Sequence, residues 1–222
     1  MSTQKEKKSQ GKKLMTKIKR LKKQGQDAVG KAEQILRGAI PEFLKNGYAC
    51  TSMDKVAKAS GVSKQTLYSH FTDKEGLFKA LVKRVATKKF NFVWSQPLEG
   101  EPEQVLRNLA DRLLTENIND TEYLEFVRLI IAESGKYPDL SKLFLTQIAK
   151  PAVEILTKYL QEHQELNLDD PEATAIVFVG SLVYFILNQK VLHGMEVMPM
   201  EASPYIDNLV ALISSKTKNK ML

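Results

Sequence analysis

Side chains with several hydrogen-bonding atoms are concentrated in one segment, TSMDKVAKASGVSKQTLYSHFTDK at residues 51–74. Lys64 can donate hydrogen bonds to guanine, and Gln65 can bond adenine through both ends of its amide. Thr66, Tyr68 and Lys74 are suited to phosphate oxygens, contacts that fix a protein's register without reading sequence. This combination predicts a surface that reads double-stranded DNA, although the residue types alone leave open a helical hairpin with a plain polar face.

Two short helices must position these side chains. Ser52 or Thr51 can cap the first helix and Ser63 the second, because their hydroxyls accept hydrogen bonds from helix N-terminal N–H groups. Gly61 is expected to end the first helix. Two helices of about seven residues joined by a glycine-bearing turn are typical of the helix-turn-helix, whose second helix enters the major groove.

Outside this hairpin the apolar residues follow helical spacing, and no segment alternates as a strand does. A first helix is expected over about residues 28–46, with Pro41 bending or splitting it and Gly47 ending it in a left-handed cap. Further helices are expected near residues 74–94, 102–117, 120–134, 138–147, 150–164, 171–193 and 201–215, with prolines at or near the breaks between them. The sequence therefore predicts an all-α fold.

The net charge of +7 is unevenly distributed along the chain. Residues 1–30 hold ten Lys or Arg and two acidic residues, whereas residues 96–222 are net acidic. A basic front half points to a polyanionic partner. Residues 1–26 are too polar to fold alone and are expected to form a disordered arm, which could become an amphipathic helix on DNA or on an anionic membrane.

Several function classes are excluded by what the sequence lacks. Cys50 is the single cysteine, and His70, His163 and His193 have no metal-ligand spacing. No glycine-rich phosphate loop or nucleophile elbow is present, so we expect no enzyme, no cofactor and no metal. The apolar run at residues 173–187 is 15 residues long. Because a membrane span needs about 20 residues, and no apolar leader follows the charged N-terminus, a cytoplasmic protein without a membrane segment is expected.

The hairpin and its flanks also carry a family pattern. Its residues are Gly47-Tyr48, Thr51-Ser52-Met53, Val56-Ala57, Ala59-Ser60-Gly61-Val62-Ser63, Lys64, Thr66-Leu67-Tyr68, His70-Phe71, Lys74-Glu75 and Leu77-Phe78. With these residues the segment from residue 31 to about residue 90 resembles the DNA-binding domain of TetR/AcrR-family transcriptional regulators. The resemblance implies a three-helix DNA-binding domain over residues 27–95, including the connecting helix. The DNA contacts that it implies are Thr51, Ser52, Ser63, Lys64, Gln65, Thr66, Tyr68, His70 and Lys74. Gln65 stands where the family often has glycine, so the base contacts are expected to differ.

The second half resembles the AefR-like group of that family, through the segment IAESGKYPDL at residues 131–140 and the closing helix through Phe178 and Leu182. This resemblance implies a larger helical domain over residues 96–222 that dimerises and binds a small-molecule inducer, which releases a repressor from its operator. A non-specific nucleoid-type DNA binder and a basic peripheral membrane-surface protein are the rival functions.

Two sets of residues in the second half are candidate binding surfaces. Aromatic residues could line an inducer pocket or simply fill the core. They are Phe92, Trp94, Tyr123, Phe126, Phe178 and Tyr184, and Phe144 and Phe185 are further aromatic residues of the same region. The last two helices could form a two-fold dimer interface, because the first of them is apolar all round and small residues allow close approach. Its candidate residues are Phe178, Gly180, Ser181, Val183, Leu187, Ile206, Leu209, Val210 and Ile213.

Overall fold

The computed structural model describes residues 30–214, and every regular element in that range is helical, which confirms the all-α prediction. In chain order the helices are α1 (30–50), α2 (Met53–Ala59), α3 (Lys64–His70), α4 (Lys74–Val93), α5 (Pro102–Ile118), α6 (Thr121–Glu133), α7 (Pro138–Gln147), α8 (Ala149–Glu162), α9 (Pro171–Ile186) and α10 (Ala202–Ser214). Short 3-10 turns lie at Gln164–Leu166 and Gly194–Glu196, and a π-helical turn at Leu187–Val191 extends α9.

The starts of these helices have local causes. Pro102, Pro138 and Pro171 occupy the first turns of α5, α7 and α9, where a missing N–H costs no helical hydrogen bond. Asp120 Oδ1 accepts from the Tyr123 N–H at 3.0 Å and so caps α6. The sequence-predicted starts of α5, α6, α7 and α9 agree with the structure to within one residue.

Helix α1 differs from expectation at its proline. Residues 30–50 are helical without a break, so the expected split at Pro41 does not occur. Pro41 is exposed, and the carbonyl group that loses its helical partner there can bond water instead. Gly47 has the positive φ of 73° expected of a capping glycine, although residues 48–50 continue the helix.

The described residues form two compact units that divide between Phe78 and Lys79, inside α4. The first unit is built around aromatic rings: Phe78 meets Phe43 edge-on with ring centroids 4.9 Å apart, and meets Tyr48 at 5.1 Å. Leu67 is the fully buried residue of α3 and joins this unit's apolar core.

The second unit is a helical bundle with one large apolar core. Leu106 and Leu109 of α5, Phe178 of α9 and Val210 of α10 are among its buried residues. Val93, at the end of α4, belongs to the same core, whereas the predicted DNA-binding domain of residues 27–95 counts the whole of this connecting helix with the first unit. The predicted arm, residues 1–26, lies outside the described residues.

Helix α9 and its π-helical extension form one stretch, Pro171–Val191, of 21 residues, and its most apolar 18-residue window has a mean hydropathy of 1.5. By length and composition this stretch could cross a membrane, and it is longer than the apolar run read from the sequence. A core helix of a folded domain meets the same criteria, and 44% of the stretch's most apolar window is buried inside the chain.

Candidate nucleic-acid interface and ligand cavity

The turn between α2 and α3 is fixed by backbone geometry and by contacts with α1. Gly61 has φ +64°, and Val62 N donates to Ala57 O at 3.1 Å. Ser60 Oγ donates to Ile35 O at 3.2 Å. Gly38 allows this approach, because a Cβ there would lie 2.7 Å from Ser60 Cα. These contacts fix the distance between the α2–α3 turn and α1.

Helix α3 presents a polar face from a defined start. Ser63 caps it, with its Oγ accepting from the Thr66 N–H at 3.0 Å. Leu67 points into the core, while Lys64, Gln65 and Tyr68 are exposed. The structure therefore brings these predicted DNA-facing residues together on one short helix, with its N-terminal residues in the outward position that base contacts require.

Lys64 has a partner that the sequence did not indicate. Its Nζ lies 2.6 Å from Asp54 Oδ2 of α2, and both side chains are more than half exposed. Asp54, which was not among the predicted DNA contacts, therefore links α2 to Lys64 of α3. The two residues are ten positions apart, so only the geometry of the turn reveals the pair.

Three other predicted DNA contacts are used inside the unit. Thr51 is only 3% exposed, and its Oγ1 lies 2.7 Å from Gly47 O. Lys74 Nζ donates to Tyr48 O and to Ala49 O at 2.9 Å each, and lies 4.8 Å from the centre of the Tyr48 ring. His70 is half-buried beside Phe71. Thr51 and Lys74 thus satisfy carbonyl groups at the end of α1 rather than standing free for phosphate.

Ser52 and Thr66 have capping roles near the same surface. Ser52 Oγ accepts from the Lys55 N–H at 3.3 Å and begins α2 while remaining exposed. Thr66 is half-buried, with its Oγ1 2.9 Å from Ser63 Oγ.

The second unit contains a cavity of about 170 Å³ bounded by the end of α4 and by α5–α9. Its wall is mostly apolar, with Val93, Leu113, Phe144 and Ile186 among its residues. Polar side chains border it at Lys89, Asn117 and Tyr123. An apolar enclosure with a few convergent polar groups is typical of small-molecule sites.

Two of the six aromatic residues predicted for a pocket line this cavity, namely Trp94 and Tyr123. Phe92 lies outside it because its side chain is half exposed on α4, and Tyr184 is likewise half exposed on α9. Phe126 and Phe178 are buried in the unit but do not border the cavity. Phe144, one of the further aromatic residues of that region, also borders it, and Phe90 borders it as an aromatic residue missed by the sequence analysis.

One ion pair controls the electrostatics at the polar end of the cavity. The buried Lys89 Nζ lies 2.7 Å from Asp120 Oδ2, donates to Glu116 O at 2.9 Å and sits 4.7 Å from the centre of the Tyr123 ring. Burial alone would raise the pKa of Asp120, but the hydrogen bonds from Lys89 and from the Tyr123 N–H hold this pKa below its usual value. Burial, with the nearby Asp120 charge, raises the pKa of Tyr123 to about 12.

An apolar face of α9 remains outside the core. We call it the α9 stripe; it consists of Ile176, Val177, Gly180, Val183 and Tyr184, all of them exposed. These positions recur at helical spacing, and a Cβ on Gly180 would meet nothing within 4 Å.

The structure divides the predicted dimer residues into two groups. Gly180 and Val183 lie on the α9 stripe, and Ser181 and Leu187 beside it are half-buried. The others are buried in their own unit's core and cannot form an outer surface: Phe178, Ile206, Leu209, Val210 and Ile213.

No group of three or more His, Cys, Asp or Glu side chains in residues 30–214 could hold a metal ion. Cys50 is an exposed free thiol at the end of α1.

Comparisons with known proteins agree with this geometry. A family model described as bacterial regulatory proteins, tetR family, matches residues 35–81, and one for the C-terminal domain of AefR-like transcriptional repressors matches residues 104–214. The HTH-type transcriptional regulator RutR of Escherichia coli (strain K12) is 26% identical over 164 residues, covering 74% of this chain and 69% of RutR.

Solved structures show the same fold. A TetR-family transcriptional regulator from Mesorhizobium loti MAFF303099 superposes with a TM-score of 0.68 at 26% identity, covering 85% of this chain and 97% of that one. The flavonoid-responsive regulator FrrA superposes with a TM-score of 0.68 at 27% identity, covering 86% of this chain and 96% of FrrA.

Proposed function

The chain belongs to the TetR family of bacterial regulatory proteins, and on that premise we propose that it is a homodimeric repressor of a specific operator, released by a small molecule. It is a DNA-binding transcriptional regulator of the helix-turn-helix type, a class whose members are typically repressors. A non-specific nucleoid role and a membrane-surface role are not favoured by these relatives.

The observation that carries the proposal is the polar face of α3. Ser63 fixes the start of the helix, Leu67 anchors it in the core, and the side chain of Gln65 is exposed on its first turn. We assign base reading to Gln65, with Lys64 beside it, and phosphate binding to Tyr68 and Ser52. Thr51 and Lys74 support this face from within.

The test is binding to operator DNA, selected from random sequence by the purified protein. Gln65→Ala is expected to weaken operator binding by about 1–3 kcal/mol and to leave random DNA nearly unaffected. Gln161→Ala, an exposed glutamine on α8, is the matched control and should change neither. Equal losses on operator and random DNA from Gln65→Ala would contradict the assignment.

The α9 stripe supports the homodimer, a state typical of the family. An apolar helix face with a glycine at its centre permits close helix–helix approach, and a two-fold axis through it would bury the same face on both copies. We place the dimer contact on Ile176, Val177, Gly180, Val183 and Tyr184 rather than on the buried residues of α10.

The cavity supports release by a small molecule. Phe90, Val93 and Trp94 of its wall lie on or directly after α4, the helix that begins in the DNA-binding unit at Lys74. A ligand that contacts the end of this helix can favour one arrangement of the chain over another, which is the requirement for coupling to DNA affinity. FrrA, a relative named for its response to flavonoids, supports a ligand-responsive role.

The family is one of regulators, which are generally not enzymes, and we propose no catalytic activity for this chain. We place it in the cytoplasm, where its operator would be.

A further inference from the structure

The volume of the cavity, which is partly open to solvent, indicates the size of the molecule that fits between its walls. A buried apolar cavity of about 150 Å³ accommodates benzene. At about 170 Å³, and with a wall that includes Val93, Leu113 and Phe144, this cavity matches one aromatic ring with a short substituent.

Asn117 offers a hydrogen-bond acceptor at the edge of this space. The residue borders the cavity and is 6% exposed. Its Nδ2 donates to Leu113 O at 2.6 Å, which fixes the orientation of the amide because only the NH₂ end can donate to a carbonyl. Oδ1 is shielded from solvent and has no hydrogen-bond partner among the described residues. Because the residue borders the cavity, a donor group on a bound molecule could supply the partner that this oxygen lacks.

Tyr123 offers a complementary donor. Its ring borders the cavity, and the hydrogen bonds found in residues 30–214 include none from its hydroxyl. Because its pKa is raised to about 12, the phenol keeps its proton at neutral pH. One acceptor and one donor that border the same cavity match a group that can both give and receive a hydrogen bond, as a hydroxyl does.

The compensated charge at this end disfavours an anionic ligand. Among the described residues that line the cavity, Lys89 alone is charged, and its charge is already compensated by Asp120 at 2.7 Å. A carboxylate would therefore meet no free cation and would place its own acceptor oxygens against Asn117 Oδ1. Losing hydration without a compensating contact disfavours the charged form.

From these features we infer that the cavity binds a neutral, single-ring phenol-like molecule whose hydroxyl donates to Asn117 Oδ1 and accepts from the Tyr123 hydroxyl. The inference deepens the proposed function, since it concerns the same cavity, but it predicts ligand chemistry and does not depend on DNA release.

Trp94, the one tryptophan of the sequence, lines the cavity and reports binding directly through its fluorescence. The probes are 4-ethylphenol, ethylbenzene and 4-methylbenzoate, which share a ring and differ in their hydrogen-bonding group. We expect the full-length protein to bind 4-ethylphenol about tenfold more tightly than ethylbenzene, as one to two buried hydrogen bonds allow, and to bind 4-methylbenzoate more weakly than either.

Variants assign the preference to its residues. Asn117→Leu keeps the side-chain size and removes the acceptor, so the affinity for 4-ethylphenol should fall to the affinity for ethylbenzene. Tyr123→Phe should also lower the affinity for 4-ethylphenol. Asn108→Ala, an exposed asparagine on the same helix, is the control and should leave all three affinities unchanged. Retained ethylbenzene binding shows that each variant is folded.

Three results would overturn the inference: 4-methylbenzoate binding as tightly as 4-ethylphenol, an unchanged phenol preference in Asn117→Leu, or no fluorescence response to any probe. Operator release is measured separately by gel shift. If 4-ethylphenol binds as expected but leaves the operator complex intact, the inducer role in the proposed function fails while the ligand chemistry stands.

Discussion

Lys64 faces the proposed DNA surface already paired with Asp54, 2.6 Å away. An exposed ion pair of this kind contributes about 0–1 kcal/mol to folding, so its main effect is on the charge that DNA would meet. The Asp54 carboxylate is hydrogen-bonded to the Lys64 amine, and its negative charge repels phosphate. We therefore expect Asp54 to lower the affinity of this surface for DNA without contacting DNA itself.

Replacing Asp54 by Asn should tighten operator binding severalfold at low salt, because Lys64 is freed and a negative charge is removed. The gain should shrink as salt rises, since exposed charges are screened over about 8–10 Å at physiological ionic strength. Titrations across a salt series measure this effect. Asp139→Asn, which breaks the exposed Lys142 pair on α7, is the control. Weaker operator binding by Asp54→Asn would mean that the pair positions Lys64 for DNA instead.

Lys74 is expected to matter for stability. Its amine donates to two carbonyl groups at the end of α1, and a hydrogen bond to a charged group contributes about 1.5–3 kcal/mol. Lys74→Ala should therefore lower the free energy of unfolding by about 2 kcal/mol, as measured by urea denaturation. Lys83→Ala, an exposed lysine on the same helix, should cost less than about 0.5 kcal/mol. A Lys74 variant as stable as wild type, with weaker binding to all DNA, would restore its predicted phosphate role.

At these residues the local features could be predicted from the sequence, and the partners from other elements could not. The types at Ser63, Gln65 and Leu67 predict a capped helix with a polar outside and an apolar inside, and the structure has these features. Thr51 and Lys74 have the right chemistry for phosphate, but their partners are carbonyl groups brought near them only by the fold. Pairings across elements depend on tertiary geometry, which residue types do not determine.

Among the elements, α9 is the one whose outer face supports association. Ile176→Glu would place a charge within an apolar contact and should convert the proposed dimer to monomer at micromolar concentration, as measured by sedimentation. Ile131→Glu on α6 is the matched control, because Ile131 is 51% exposed and Ile176 is 53% exposed. The control should leave the sedimentation coefficient unchanged. A dimeric Ile176→Glu protein would exclude the α9 stripe as the interface.

Element boundaries were the most predictable part of the fold. Proline in the first turn and aspartate at the cap have local effects, so α5, α6, α7 and α9 begin where the sequence indicates. The orientation of α9 could not be predicted in the same way. A helix that is apolar all round gives no periodicity by which to distinguish the buried Phe178 from the exposed Val177.

For the molecule as a whole, the Lys89–Asp120 ion pair at the edge of the cavity contributes to the free energy of unfolding. The pKa of Asp120 is lowered from 3.8, so its contribution to stability is fully present above that value and is lost as the pH falls below it. Asp120→Asn should lower the free energy of unfolding at neutral pH by about 2 kcal/mol, because it leaves a buried lysine without its counter-charge.

Urea denaturation between pH 7 and pH 3 measures this prediction. The difference between wild type and Asp120→Asn should narrow as the pH falls below about 3.8, and the exposed Asp111→Asn on α5 should show no such difference. A gap that stays constant with pH would show that the ionised form of Asp120 is not what stabilises the unit.

Val183 belongs to two surfaces at once: it lines the cavity and it stands on the α9 stripe. In the proposed dimer a second copy covers this residue and closes that part of the cavity wall against water. If dimerisation raises the affinity of the cavity for its ligand in this way, thermodynamic linkage requires the ligand to strengthen dimerisation by the same factor. The ligand concentration that half-saturates the protein would then fall as the protein becomes more abundant. The cellular concentration of the regulator would help to set the ligand concentration at which the regulated gene responds.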